Sequence, residues 1–206
     1  MRNSNQKILR MVQLSMLIAL VVVLQIVSAL IPPIGGMVSI TLTLVPVVVG
    51  AILFGKKGGS VLGLAFGLIV LINCIVGFDK GGNILWNANP FLTATICLVK
   101  GVAAGLIPAW LYEITKGKKE NVSGTRKYVA TVVAALSAPV VNTGLFVCGM
   151  LAFFMETLRT WAGGQGVILY ILLGLAGLNF LVEFLINIIL SPAIVRIVEI
   201  VRKKIK

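Results

Sequence analysis

The chain has 206 residues, of which 59% are apolar and 12% charged, with no histidine among them. Soluble domains carry about 25% charged residues, so with a mean hydropathy of +1.08 this is an integral membrane protein with no sizeable water-soluble domain. The net charge of +12 is a topology signal here and does not indicate nucleic-acid binding, while the missing histidine removes imidazole acid–base and metal chemistry.

Continuous apolar runs of about 20 residues favour helices over a barrel, whose strands would alternate with period two. Taken in order, the runs predict one membrane domain over residues 1–206 with six spans, at about 11–31, 38–54, 61–77, 91–114, 128–154 and 167–194. Arg2, Lys7 and Arg10 precede the first span, which is too long for a signal-peptide core and reads as an uncleaved helix. Within it Ser15 and Ala19 stand four apart, a small-residue face that lets another helix come close. Pro32, Pro33, Gly35 and Gly36 end that span. The second span begins with an alternation of Ser39, Thr41 and Thr43 that could start extended, and contains Pro46, a predicted kink.

The turn from Gly55 to Gly59 follows. Gly50, Gly55 and Lys56 match the spacing of a phosphate-binding loop, but Lys57 replaces its final hydroxyl residue and the intervening residues end a membrane span. The chain is therefore not expected to hydrolyse ATP. The third span carries Gly63 and Gly67 as a second small-residue face, with Asn73 as a buried polar residue. Residues 78–90 are predicted to be a polar, glycine-containing loop leading into the fourth span, where Lys100 is buried about nine residues in. A basic hydrophilic connection joins the fourth and fifth spans and includes the acceptor pattern Asn121-Val122-Ser123. The fifth span is expected to be interrupted at 138–144, around Pro139 and Asn142. A second polar loop over 155–166 holds Glu156, Arg159, Trp161 and Gln165, and the sixth span carries Asn179, Glu183 and Asn187 before a basic tail. Cys74, Cys97 and Cys148 have no paired spacing and read as small core residues, so no metal site or disulfide framework is expected.

Fifteen of the eighteen Lys and Arg residues fall at the two ends, the second-to-third turn and the fourth-to-fifth connection; only Lys80 and Arg159 lie on the opposite side. Basic residues near span ends stay cytoplasmic, which predicts both termini inside and the 78–90 and 155–166 segments outside.

Polar groups in lipid cost several kcal/mol unless they face protein or water. Lys100, Asn142 and Asn179 reach similar depth from the outer ends and could line one cavity open to the outside. Asn83, Asn87 and Asn89 lie above Lys100 and offer amide donors and acceptors. Trp86 sits at the predicted outer interface and Gln165 in the second outer loop. Two readings stay open for Lys100: contact with a ligand, or an ion pair with Glu183, which lies about 10 Å deeper. No nucleophile–base pair, metal cluster or cofactor fingerprint occurs, so a carrier or binding protein fits better than an enzyme.

The pattern resembles the substrate-binding S components of bacterial energy-coupling factor (ECF) vitamin transporters. The resemblance rests on Ser15-Met16-Leu17-Ile18-Ala19, on the stretch from Leu42-Thr43-Leu44-Val45-Pro46 to Phe54-Gly55, and on Asn89-Pro90-Phe91, Leu98-Val99-Lys100-Gly101 and Ala138-Pro139-Val140-Val141-Asn142-Thr143-Gly144. Ser15 departs from the family's common alanine. The resemblance implies a protein that captures a water-soluble vitamin outside and needs no cofactor. It also implies a transmembrane T component that grips Ser15 and Ala19, and two cytoplasmic ATPases that supply the energy. The cation at Lys100 favours an anionic vitamin such as pantothenate; riboflavin, folate, cobalamin and pyrimidines stay open. The competing readings are a stand-alone ion-coupled transporter working through Glu183 or Lys100, and a membrane scaffold.

Overall fold

The computed structural model describes residues 2–30, 41–117, 123–175 and 177–205. The described residues are almost wholly helical: α1 (Arg2–Leu30), α2 (Leu44–Val76), α3 (Lys80–Ala88), α4 (Pro90–Lys116), α5 (Gly124–Phe153), α6 (Met155–Ala162), α7 (Val167–Tyr170) continuing through a π-helical turn (Ile171–Leu175), and α8 (Gly177–Ile205). Five stretches are long and apolar enough to cross a membrane: Gln6–Ser28, Leu44–Val76, Pro90–Lys116, Gly124–Phe153 and Val167–Val198.

α2 covers both the second and third predicted spans, and it is not straight. Gly55 has φ 69° and ψ −162°, a conformation open to glycine, and the chain reverses there. In a continuous helix Gly50 and Leu62 would be about 18 Å apart along the axis; instead the Leu62 side chain lies against Gly50, and a methyl added at Gly59 would stand 3.1 Å from the Ala51 Cβ. The turn expected at 55–59 is thus a single-residue reversal between two antiparallel arms. The first arm runs eleven residues from Leu44, about 16 Å. Residues 31–40, which include Pro32, Pro33 and Ser39, fall outside the described residues. Pro46 sits in the first turn of α2, where its missing N–H is unneeded, and Gly55 is the non-helical residue within α2, so the predicted kink at Pro46 does not form.

The second arm of α2 packs on α4 through glycines four apart. A Cβ added at Gly59 or Gly63 would run into the carbonyl oxygens of Gly105 or Gly101, and one at Gly67 would lie 2.7 Å from the Cys97 oxygen. The reverse holds too, with a Cβ on Gly101 placed 2.6 Å from the Gly63 oxygen. The two backbones approach as closely as their atoms allow, the arrangement that small residues permit in membranes. The small-residue face expected at Gly63 and Gly67 therefore has its partner in Gly101 and Gly105.

Three predicted irregular stretches are helical. Residues 78–90 contain α3, whose start is capped by Asp79 accepting the Gly82 N–H at 3.1 Å. Residues 155–166 contain α6. The expected break at 138–144 is absent, since α5 runs unbroken past Pro139. Cys148 is exposed while Cys74 and Cys97 are buried, so only two of the three cysteines are core residues. The Asn121-Val122-Ser123 pattern begins outside the described residues.

Candidate functional site

α4 begins at Asn89, whose side-chain oxygen accepts the Leu92 N–H at 3.1 Å, with Pro90 in the first turn. Thr93, Cys97 and Lys100 then recur at helical spacing on one face, and all three are buried. Because Gly101 is locked against Gly63, the position of Lys100 relative to α2 is fixed by backbone contact. The Lys100 face closes a narrow cleft with Cys74 from α2, Asp79 and Gly82 at the start of α3, and Phe146 from α5. The side chains pack closely enough that little more than a water molecule fits between them.

Lys100 is 8% exposed. Its ammonium lies 5.0 Å from the centroid of the Phe146 ring, within the range of a cation–π contact. Among the described residues no carboxylate comes within 4.0 Å of it; the ion pair between Lys56 and Glu113, at 3.1 Å, lies elsewhere. The predicted alternative of a Lys100–Glu183 pair is therefore not formed. Glu183 instead accepts the Thr41 N–H at 2.7 Å. That Lys56 contact also gives the lysine of the phosphate-loop near-match a structural partner.

Asp79 lines the same cleft as Lys100. Burial pushes its carboxyl above the usual range, while the Gly82 N–H and the Lys100 charge pull it back. The cleft thus holds one buried cation, partly balanced by a carboxylate that does not reach it, within apolar walls. Such a site rewards an anion that can approach the ammonium directly.

The other predicted site residues are distributed unevenly. Asn142 is buried, with its side-chain oxygen unpartnered; it stands one turn before Phe146 and so on the same face of α5. Asn83 and Asn87 form a chain in which Asn87 Nδ2 donates to Asn83 Oδ1 at 3.1 Å and Asn83 Nδ2 donates to the Cys74 carbonyl at 2.8 Å. They tie α3 to α2, and Asn89 caps α4. Trp86 packs against the main core, and Gln165 is exposed after α6. Asn179 lies on α8, with its side chain outside the described residues. Of the predicted set, Lys100 alone lines the cleft, with Asn142 a turn away.

Asp79, Thr93 and Phe146 were not singled out by the sequence reading, although Thr93 and Lys100 share a helical face and Asp79 has the residue type of a helix cap. Asn73 adds a buried amide nitrogen without a partner; it follows Val70, a cleft residue, by three positions on α2.

On α1, Ser15 and Ala19 are both exposed and line a shallow groove with Ile8, Met11, Val12 and Met16. The apolar window of α1 is 17% buried, the lowest share of the five membrane-length stretches.

Comparison with known proteins identifies a family. The family described as "ECF transporter, substrate-specific component" matches residues 9–195. The chain is also 25% identical over 191 residues to a protein of Lactococcus lactis subsp. cremoris (strain MG1363) named pantothenic acid transporter PanT, covering 88% of this chain and 89% of that one. A multi-pass membrane chain that buries a cation close to a short helix, the protein belongs to the substrate-specific components of ECF transporters.

Proposed function

We propose that this subunit captures pantothenate from outside the cell and delivers it through an ECF complex. The observation that carries the reading is Lys100, a buried ammonium held at the cleft by a glycine-locked helix with no carboxylate within 4.0 Å among the described residues. Pantothenate has a carboxylate for this cation, and hydroxyl and amide groups that suit the unpartnered Asn142 oxygen and Asn73 nitrogen. The name of the Lactococcus relative points the same way. Because the cleft is tightly packed, capture requires either α3, which carries Asn83, Trp86 and Asn87, to move or Phe146 to rotate. Asn179, on α8, and Gln165, exposed after α6, complete the proposed set.

Six crossings with both termini in the cytoplasm complete this reading. It is supported by the reversal at Gly55 and by the distribution of basic residues. The exposed Ser15–Ala19 face of α1 supports docking of a transmembrane T component, with two ATPases supplying energy. Titration calorimetry of the purified chain tests the substrate: pantothenate should bind, and its neutral analogue with the carboxylate replaced by a hydroxymethyl group should bind far more weakly. Equal binding of the two would remove Lys100 from recognition.

A further inference from the structure

A second polar cluster lies apart from the Lys100 cleft, where the amino end of α2 meets α1 and α8. The backbone at Thr41 and Leu42 is not helical, and its N–H groups are taken up from both sides. Leu42 donates to Ser28 Oγ at 3.1 Å and Thr41 donates to Glu183 Oε1 at 2.7 Å. Thr43 Oγ1 donates to Gln25 at 2.9 Å. Glu183 is 4% exposed and Asn187 1%.

Asn187 Nδ2 donates to the Glu183 carbonyl at 2.8 Å, which fixes the orientation of the amide and turns it back toward residue 183. Among the described residues its other atom, Oδ1, has no partner, and neither has Glu183 Oε2. Residues four apart on a helix share a face, so two buried acceptor oxygens, each unpartnered among the described residues, belong to adjacent turns of one helix face. Leaving a buried acceptor unpaired is costly, and more so when it is charged. The Thr41 side chain also faces Glu183, and among the described residues Oε2 still has no hydrogen-bond partner. α1 brings Gln25 and Ser28, and the residues just before α2 bring Thr41 and Thr43, none of them titratable. α5 has no titratable side chain between Thr131 and Val147. Lys100 on α4 is the charged group whose field reaches Glu183, and no carboxylate lies within 4.0 Å of it among the described residues.

We propose that Glu183 Oε2 and Asn187 Oδ1 form a site for one small monovalent cation, a proton or an alkali ion, that latches the α1–α2 connection onto α8. One cation satisfies both oxygens and neutralises the carboxylate that holds Thr41. Non-helical backbone beside buried polar side chains is the setting in which membrane proteins build such sites. Loss of the cation would leave a bare buried carboxylate and favour release of the Thr41 segment.

The test uses the full chain in lipid nanodiscs, following thermal unfolding with sodium chloride replaced by choline chloride at constant ionic strength, and separately across pH. A rise in Tm with sodium identifies an alkali ion, and a rise with acid that is independent of sodium identifies a proton. In either case Glu183→Gln should keep the higher Tm and lose the dependence, because its amide supplies an N–H to Asn187. A wild-type response no larger than that of Glu183→Gln overturns the site. Should that variant fail to fold, cation- or pH-induced infrared difference spectra of the wild-type chain must show a carboxyl band, and its absence overturns the site equally.

Discussion

The Lys100 ammonium stands 5.0 Å from the centre of the Phe146 ring, and no carboxylate is within 4.0 Å of it among the described residues. A ring face holds a cation with about 0.5–2 kcal/mol, enough to orient it and too little to compete with a carboxylate. The pair thus keeps the charge in place while leaving it available to an anion.

Lys100→Met should therefore weaken pantothenate binding by roughly 2–5 kcal/mol, the range for truncating one member of a buried charge pair. Phe146→Leu should lose about 0.5–2 kcal/mol. Calorimetry on both variants checks the order; a larger loss for Phe146→Leu would mean that the ring, and not the cation, dominates recognition.

Asp79 is an acid whose carboxyl is raised by burial. Between its unfolded value, about 3.9, and its higher folded value, the folded chain binds more protons than the unfolded one, so stability falls as pH rises through that window. Asp79→Asn keeps a capping side chain and removes the charge. The variant should melt at or above the wild-type temperature at neutral pH and converge with it in acid. A variant less stable at neutral pH alone would show that the Asp79 charge is stabilising.

Helix packing makes opposite forecasts for two glycines. Gly63→Val forces a side chain into the Gly101 carbonyl and should cost at least about 1–3 kcal/mol, the range for overpacking. Gly144, inside α5, has nothing within 4 Å of an added methyl, so Gly144→Ala should stabilise by up to about 1 kcal/mol from helix propensity. Thermal unfolding in detergent separates the two.

Ser15→Trp and Ala19→Trp alter an exposed face of α1 distant in sequence from the cleft-lining residues. Uptake by cells carrying the whole complex should be abolished, while pantothenate binding by the isolated chain stays unchanged. Loss of binding would show that this face serves the substrate site and not the partner.

Much of this architecture is written in spacing. Gly63 and Gly67 announce a close helix contact, and Lys100 stands out as a charge in an apolar run. The 78–90 segment misleads because Gly81 and Gly82 look like loop residues, yet both are buried, and a Cβ on Gly82 would collide with the Cys74 sulfur. Those glycines provide close packing, and Asp79 starts the helix. Each of the three asparagines above Lys100 has a structural hydrogen bond that only the folded chain reveals. Glu183 was legible as a buried charge, but its partner Thr41 is 142 positions away, beyond any local pattern.

The most direct measurement of the central claim is mass spectrometry of the small molecules that stay with the chain through purification, compared between wild type and Lys100→Met. The expected result is pantothenate in the wild-type sample and its depletion from the variant. A neutral or cationic vitamin in place of pantothenate, or equal pantothenate in both samples, would contradict it.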